Sequence, residues 1–421
     1  MAEASSVGTV WRTLSNRNYR NYAAGNLFSQ MGVWVHRIAV QWLTWELTHS
    51  PTWLGIIAIA DVFPNVVFAP LAGAFADRVD RLLAMRAYIS ISACLLTVIA
   101  ALVLTGTITK ELLLILVMIN GVVMSFYSPV RLAIVHALVG RELLTSAISI
   151  SALTFNLGRV AGPALAGLII LHWGVGHALV FTAVADALFV IALSTIRLTR
   201  PTERRERRAL GNIPAEIMEG FRYAMKHPGI GPLLVILMAT TILLRPFNDL
   251  FAGFADDVFG RGAEGLAWLT SMLGVGAFAA SAVLTRRGAI EGLTGLLLTT
   301  VFMFCVALIG FTATDIFWIG CLCTMVAGYA MTSIGVAEQS LIQAAVASEM
   351  RGRVLSIYTL IARGFPSIGA LIMGVAASYL GLRWPVFTGA VLCLLFWAWG
   401  RRRRDEMARH LELSGTSPAR E

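Results

Sequence analysis

The 421-residue chain is short of charge and nearly free of lysine: Asp, Glu, Lys and Arg together make up 14% of it, and Lys110 and Lys226 are its only lysines. A soluble domain carries about a quarter charged residues, so a chain this poor in charge and 57% hydrophobic cannot show water a polar surface on every side. Its sequence contains no G-x-x-x-x-G-K-[ST] run, the loop whose backbone and lysine hold nucleotide phosphates, which excludes an ATPase in its own right. Gly260-Arg-Gly262-Ala-Glu-Gly265 matches the dinucleotide fingerprint by letter, but it follows an apolar span where a strand is needed, so it reads as a turn. The five cysteines (Cys94, Cys305, Cys321, Cys323, Cys393) lie in apolar stretches without C-x-x-C spacing and read as small core hydrophobes. The histidines, His172 and His177 among them, lack metal-ligand spacing, so no metal is expected. No nucleophile and base stand in a recognisable constellation, and no enzyme activity is expected.

What the chain has in abundance is apolar length. Apolar windows recur at 20–46, 52–75, 83–106, 111–134, 144–171, 176–196, 230–255, 265–285, 290–313, 316–345, 354–379 and 383–400, each long enough to cross a bilayer, and the mean hydropathy is +0.75. These windows predict an all-α polytopic membrane protein of twelve transmembrane helices. Arg12 and Arg17 precede the first window, but that run is too long for a cleaved leader and has no small-residue cleavage site, so it is expected to remain as an anchor.

The net charge of +9 and pI near 9.7 would suggest nucleic acid in a soluble protein, but here position decides. Of the 33 basic residues, only Lys110, Arg261 and Arg383 fall on one side of the proposed spans, and four lie within them. The positive-inside rule makes the rich side cytoplasmic, with both termini inside an inner membrane and no nucleic-acid partner. The domains expected are a cytoplasmic segment at 1–18, a six-helix bundle at 19–196, a linker at 197–229, a second six-helix bundle at 230–400 and a basic cytoplasmic tail at 401–421. Within the linker, Ile217, Phe221 and Met225 recur at i, i+4 and i+8 opposite Glu216, Glu219, Arg222 and Lys226, the pattern of an amphipathic helix lying on the inner leaflet.

An internal repeat supports two halves. A shift of 207 residues carries Glu142 to Glu349, Ser149 to Ser356, Ile150 to Ile357, Gly162 to Gly369 and Gly167 to Gly374, and brings Arg37 to within one residue of Arg245. Duplicated units of this kind build many transporter folds.

Between the second and third windows stands Gly73-Ala-Phe-Ala-Asp77-Arg78-Val-Asp80-Arg81, whose ionised side chains must lie outside the hydrocarbon. This G-x-x-x-D-R-x-x-R pattern resembles the signature loop of the major facilitator superfamily, with Asp80 where a second Gly is usual and Leu82 where a basic residue is common. Trp34-Val-His36-Arg37-Ile-Ala39, Arg245-Pro246 with Phe254-Ala-Asp256, and Met350-Arg351-Gly352-Arg353 leading to Arg363-Gly364 resemble a subgroup of bacterial exporters. That subgroup includes the enterobactin-type siderophore exporters and macrolide efflux proteins. Gly158-Arg-Val-Ala-Gly162-Pro163, ending at Gly167, is similar to the helix 5 motif of antiporters in the superfamily. The resemblance implies two pseudo-symmetric six-helix bundles working by alternating access, with predicted helices 1 and 7 along the pathway and 5 and 11 beside it.

Four arginines lie deep in predicted spans: Arg37, Arg159, Arg245 and Arg363. A charge at mid-membrane costs at least about 2.5–3.5 kcal/mol, so each is expected to meet a polar cavity or a partner. One reading is a basic cavity for an anionic solute, since guanidinium binds carboxylate or catecholate oxygens bidentately; the other is structural ion pairing. Asp61, Asp186 and Asp249 are the acids that could carry a proton, Asp61 first and Asp249 second as a partner of Arg245 one turn away. Asp186 could equally be a polar seam, Glu338 a gate residue, and His36 a pH-sensitive neighbour of Arg37. Gly73, Asp77, Arg78 and Arg81 form the expected inner gate, with Asp77 placed to accept hydrogen bonds from a helix start near Arg351–Ser356. Gly158, Gly162, Pro163 and Gly167 form either a packing seam or a flexible joint. Phe28, Trp34, Trp42, Trp45 and Phe247 leave open an aromatic lining of the kind drug pumps use.

The function expected is export of a small organic solute, a siderophore or drug, by a monomeric antiporter that needs the proton gradient and no cofactor. An importer of a small anionic solute and a non-transporting membrane sensor or scaffold are the alternatives.

Overall fold

A computed structural model describes residues 2–76, 79–196 and 213–412. The described helices are α1 (Ala2–Ser15), α2 (Arg17–Thr48), α3 (Pro51–Ala76), α4 (Arg81–Leu104), α5 (Lys110–Leu138), α6 (Leu144–Trp173), α7 (Val175–Ser194) and α8 (Ile213–Lys226). They continue as α9 (Ile230–Leu243), α10 (Phe251–Gly253), α11 (Gly262–Arg287), α12 (Leu293–Ala313), α13 (Phe317–Ala345), α14 (Arg351–Leu380), α15 (Arg383–Arg402) and α16 (Arg404–Glu412). Eleven of the twelve apolar windows each centre on one of these helices, and the window 230–255 runs over α9, a 3₁₀ segment and α10. Ten spans among the described residues are long and apolar enough to cross a membrane, and the remaining two windows fall on α2 and α15.

Local chemistry sets where helices begin and end. The Asn16 side chain accepts from the Asn18 and Tyr19 amides at 3.0 and 3.2 Å and opens α2. Asp80 accepts from the Leu83 amide at 2.8 Å and caps α4, so the carboxylate that departs from the signature loop satisfies an orphan donor at a helix start. α6 and α14 each stop at a glycine, Gly174 with φ 87° and Gly381 with φ 79°, a backbone region that side chains disfavour. The 207-residue shift that relates the two halves carries Gly174 onto Gly381.

The chain divides into two compact units. Unit 1 comprises Met1–His49, Ala60–Glu206 and Leu266–Ser271, and unit 2 comprises Ser50–Ile59, Arg207–Gly265 and Met272–Glu421. In unit 1 the core gathers Tyr19 and Tyr22 of α2, Met85 and Ile89 of α4, Val130 and Ile134 of α5, and Phe189 and Leu193 of α7. Arg86 of α4 donates to the carbonyls of Leu193 at 2.7 Å and Ile196 at 3.0 Å, a cation on the negative end of α7.

In unit 2, Phe247, Phe251 and Phe254 interlock with Phe304 and Phe311 of α12, the Phe254 and Phe311 rings 4.8 Å apart. Helix α8 rests on α14 through Gly220, where an added Cβ would stand 2.9 Å from the Arg353 Cβ, and Glu219 pairs with Arg353 at 2.9 Å. Its buried face is Gly220 and Ala224, while Met218, Phe221 and Met225 are exposed. The helix therefore packs through its small residues and turns bulky apolar ones outward, away from the protein core.

The basic tail contains a structured element that composition alone hid. In α16, Met407 and Leu411 are fully buried one turn apart. Glu412 accepts from the Gly292 and Thr294 amides at 2.7 and 2.8 Å and so caps α12. The expectation that all five cysteines are core residues fails for Cys94, which is exposed on α4; Cys305, Cys321 and Cys393 are buried. A thiol on an outward helix face is tolerated because that surface is itself apolar.

Candidate solute and coupling site

The seventh span is broken. α9 ends at Leu243, a 3₁₀ segment runs from Arg245 to Leu250, and a π turn from Phe254 to Val258 follows α10. Pro246 supplies the physical cause: it has no N–H to donate and its ring clashes with the preceding α-helical turn. Short 3₁₀ and π insertions recur at functional sites because they turn side chains out of helical register.

Arg245 opens this break, and its guanidinium lies 3.9 Å from Glu338 of α13. The arginine also donates to the Ala362 carbonyl at 3.3 Å. The Glu338 side chain is fully enclosed, 0% exposed against 17% for Arg245, and neither of its oxygens accepts a hydrogen bond. Room for the guanidinium comes from Gly335, one turn before Glu338, where an added Cβ would lie 3.8 Å from Nη2 of Arg245. The Tyr358 hydroxyl of α14 donates to the Gly335 carbonyl at 3.2 Å, and Tyr358 lies within electrostatic reach of Glu338, Arg245 and Arg363. Arg363 itself is exposed on α14. A buried carboxylate without donors depends on its cation, and removing either partner leaves an uncompensated charge. A proton on Glu338 removes the negative charge and with it the need for Arg245.

Unit 1 holds two further clusters. Asp186 of α7, 6% exposed, accepts from Ser29 of α2 at 2.7 Å on one oxygen and from Ser92 of α4 at 2.9 Å on the other. The carboxylate thereby knots three helices together. Arg37 is exposed on α2 with its guanidinium 6.0 Å from the Trp34 ring. His36 and Asp61 lie within electrostatic reach of each other, and the His36 Nδ1 is enclosed without a hydrogen-bond partner. Asp61 is exposed on α3.

The helix 5 motif lies on α6 and packs against α2. A Cβ on Gly162 would stand 2.5 Å from the Trp34 Cβ, and one on Gly158 3.1 Å from the Gln30 carbonyl oxygen. The repeat extends to this contact: a Cβ on Gly369 of α14 would stand 2.5 Å from the Ile242 carbonyl oxygen of α9, and Ile242 is within one residue of the position that the shift assigns to Trp34. Pro163 follows Gly162 inside the helix without ending it, and Gly167 is buried beyond. Arg159 stands between the two glycines, partly exposed, and Asp249 is partly exposed in the 3₁₀ segment. Of the expected gate, Gly73 lies in α3 and Arg81 begins α4, while Asp77 and Arg78 lie outside the described residues.

The aromatic residues considered for a lining divide. Trp45 and Phe247 are 1% and 0% exposed and belong to the core, whereas Phe28 is exposed. Trp34 packs edge-on against Phe155 at 5.8 Å.

Among known proteins, the family described as transmembrane secretion effector matches residues 8–410. A staphyloferrin A transporter of Staphylococcus aureus is 26% identical over 355 residues, covering 84% of this chain and 87% of its own. A macrolide efflux protein A of Streptococcus pyogenes is 21% identical, over 88% and 92% of the two chains. An enterobactin exporter of Shigella flexneri is 26% identical over 58% and 56%. Of solved structures, a bacterial homologue of the human lysosomal transporter Spinster gives a TM-score of 0.71 at 16% identity, covering 96% of this chain and 98% of that one. A bacterial homologue of the iron transporter ferroportin gives 0.67 at 16% identity, over 92% and 98%. These likenesses establish the fold, and the family match places a multi-pass membrane transporter, not an enzyme, behind the buried charges described above. The chain belongs to the transmembrane secretion effector family of major facilitator transporters.

Proposed function

We propose that this protein exports a small organic solute, a siderophore or drug, across a bacterial cytoplasmic membrane in exchange for protons, working by alternating access as a monomer with both termini in the cytoplasm. The observation that carries the reading is the Arg245–Glu338 pair at 3.9 Å, built into the break of a membrane helix. A merely structural helix contact does not need a charged pair there, because apolar packing of similar volume is as stable or more so. Export is supported by the relatives, among them a macrolide efflux protein and an enterobactin exporter. Asp61, with His36 beside it, is a second group that can carry charge during the cycle. Within unit 2, Arg363 and Asp249 provide polar surface for the solute.

The test is a comparison, by mass spectrometry, of culture medium from the parent strain and a deletion strain grown under iron limitation. A secreted metabolite missing from the deletion medium and restored by the gene supports export. Accumulation of a metabolite in the deletion medium, as expected when uptake is lost, overturns it.

A further inference from the structure

We infer that Glu338 carries the exchanged proton and that the solute traded for it bears a positive charge. The inference deepens the proposed exchange and rests on it.

Three observations point to Glu338. It is the carboxyl of α13 sealed completely inside unit 2, its oxygens accept no hydrogen bond, and its cation stands at the first residue of a helix break. A carboxylate kept for architecture is tied down, as Asp186 is by Ser29 and Ser92. Glu338 is held by charge alone, so gaining or losing a proton switches its one strong interaction. The groups facing it are Arg245 from the 3₁₀ segment and Tyr358 from α14, with Arg363 beside Tyr358.

The charge count then fixes the sign of coupling. Guanidinium stays protonated inside proteins, so the pair is neutral when Glu338 is ionised and carries one positive charge when Glu338 holds a proton. A cationic solute is repelled by the proton-loaded pair and accepted by the neutral one. By linkage, its binding must expel the proton to the same degree that the proton weakens its binding. An anionic solute has the opposite effect, drawing a proton onto Glu338 as it occupies Arg245, and the two would then travel together. Exchange at this pair therefore selects a solute with a cationic nitrogen, whereas the basic residues taken alone suggest an anion. In the step itself, the Glu338 carboxylate takes one proton to become a neutral carboxyl, the cation departs, and no other bond changes. Arg245 is a positioning residue that sets the charge of the site.

The test uses the purified full-length protein in weakly buffered detergent solution with a pH indicator, and ethidium as probe because its charge is fixed. Ethidium binding is expected to release protons from the wild type and from Glu338→Asp. Release is expected to vanish in Glu338→Gln at equal occupancy, and ethidium affinity in that variant is expected to lose its dependence on pH. Loss of ethidium binding by a monodisperse Glu338→Gln protein while Glu338→Asp still binds also supports the role. Equal proton release by Glu338→Gln and the wild type would overturn it, as would wild-type protein that ignores ethidium but takes up protons on binding 2,3-dihydroxybenzoate. A failure of export itself appears elsewhere, as a deletion strain whose medium lacks nothing.

Discussion

Asp186 and Glu338 are both buried acids in apolar helices, and they differ in how their charge is met. Asp186 accepts one serine hydroxyl on each oxygen, so its loss strands two buried donors. Replacing it with alanine is expected to cost about 1–3 kcal/mol for an unsatisfied group, read as a lower melting temperature in detergent, with Asp186→Asn milder because the amide oxygen still accepts. Gly162→Ala is expected to destabilise unit 1 by about 1–3 kcal/mol, the usual range for overpacking, since its new methyl would stand 2.5 Å from the Trp34 Cβ. Gly369→Ala should match it in unit 2, where the nearest atom is the Ile242 carbonyl oxygen at 2.5 Å. Asp61 is exposed on α3, so Asp61→Asn should leave the melting temperature unchanged. As the second charge-carrying group, Asp61 is expected on conversion to Asn to slow solute flux driven by an imposed proton gradient without abolishing it, and flux at the full parent rate in the purified variant would refute its role.

At the scale of elements, α16 is a clasp on the first turn of α12 and the start of α9, and its grip depends on pH. Glu412 is partly buried, which works against its charge, but the Thr294 and Gly292 amides and nearby Arg287 outweigh this and hold its carboxyl below the ordinary value of 4.5. Its contribution is therefore present above about that value and lost as pH falls through the lower folded one. His227 titrates below its ordinary 6.5, through burial first and then the neighbouring His410 ring, 6.2 Å away. Its Nδ1 accepts from the Gly229 and Ile230 amides, both at 3.2 Å, and so caps α9 as a neutral ring. The fold favours the unprotonated form, so this cap is intact above pH 6.5 and weakens as pH falls below it. Lowering the pH from about 7.5 to about 5.5, across the ordinary histidine range, should speed deuterium uptake in residues 404–412 and in the first turn of α9. His227→Gln should flatten that response. Sequence patterning failed on this element for a definite reason: Met407 and Leu411 are two apolar residues among charges, and nothing local says that a surface awaits them.

Across the whole molecule, the apolar windows located the membrane helices because lipid demands length and hydropathy, properties that a linear reading captures. The glycine seam on α6 was equally visible, since a small residue every four positions marks one helix face, and its reading as packing is what the Trp34 contact supports. The charge pairing was less visible. Glu338 stood out as an acid in an apolar window, but its partner lies 93 positions away by number and on another helix, a relation that no spacing rule encodes. Asp249, one turn from Arg245, was the neighbour that local reasoning favoured. The 3₁₀ segment that begins at Arg245 and Pro246 places the Arg245 guanidinium near Glu338 of α13 in a way that only the fold reveals. Asp80, a departure from the family pattern, is explained once its side chain is seen capping α4.

The most direct measurement is solute flux in proteoliposomes with an acidic interior, reported by trapped pH dye and by ethidium fluorescence. The predicted result is ethidium accumulation accompanied by proton efflux, abolished by a protonophore and by Glu338→Gln. Ethidium entry at one rate with and without the gradient, and unchanged by the substitution, would contradict proton exchange at Arg245 and Glu338.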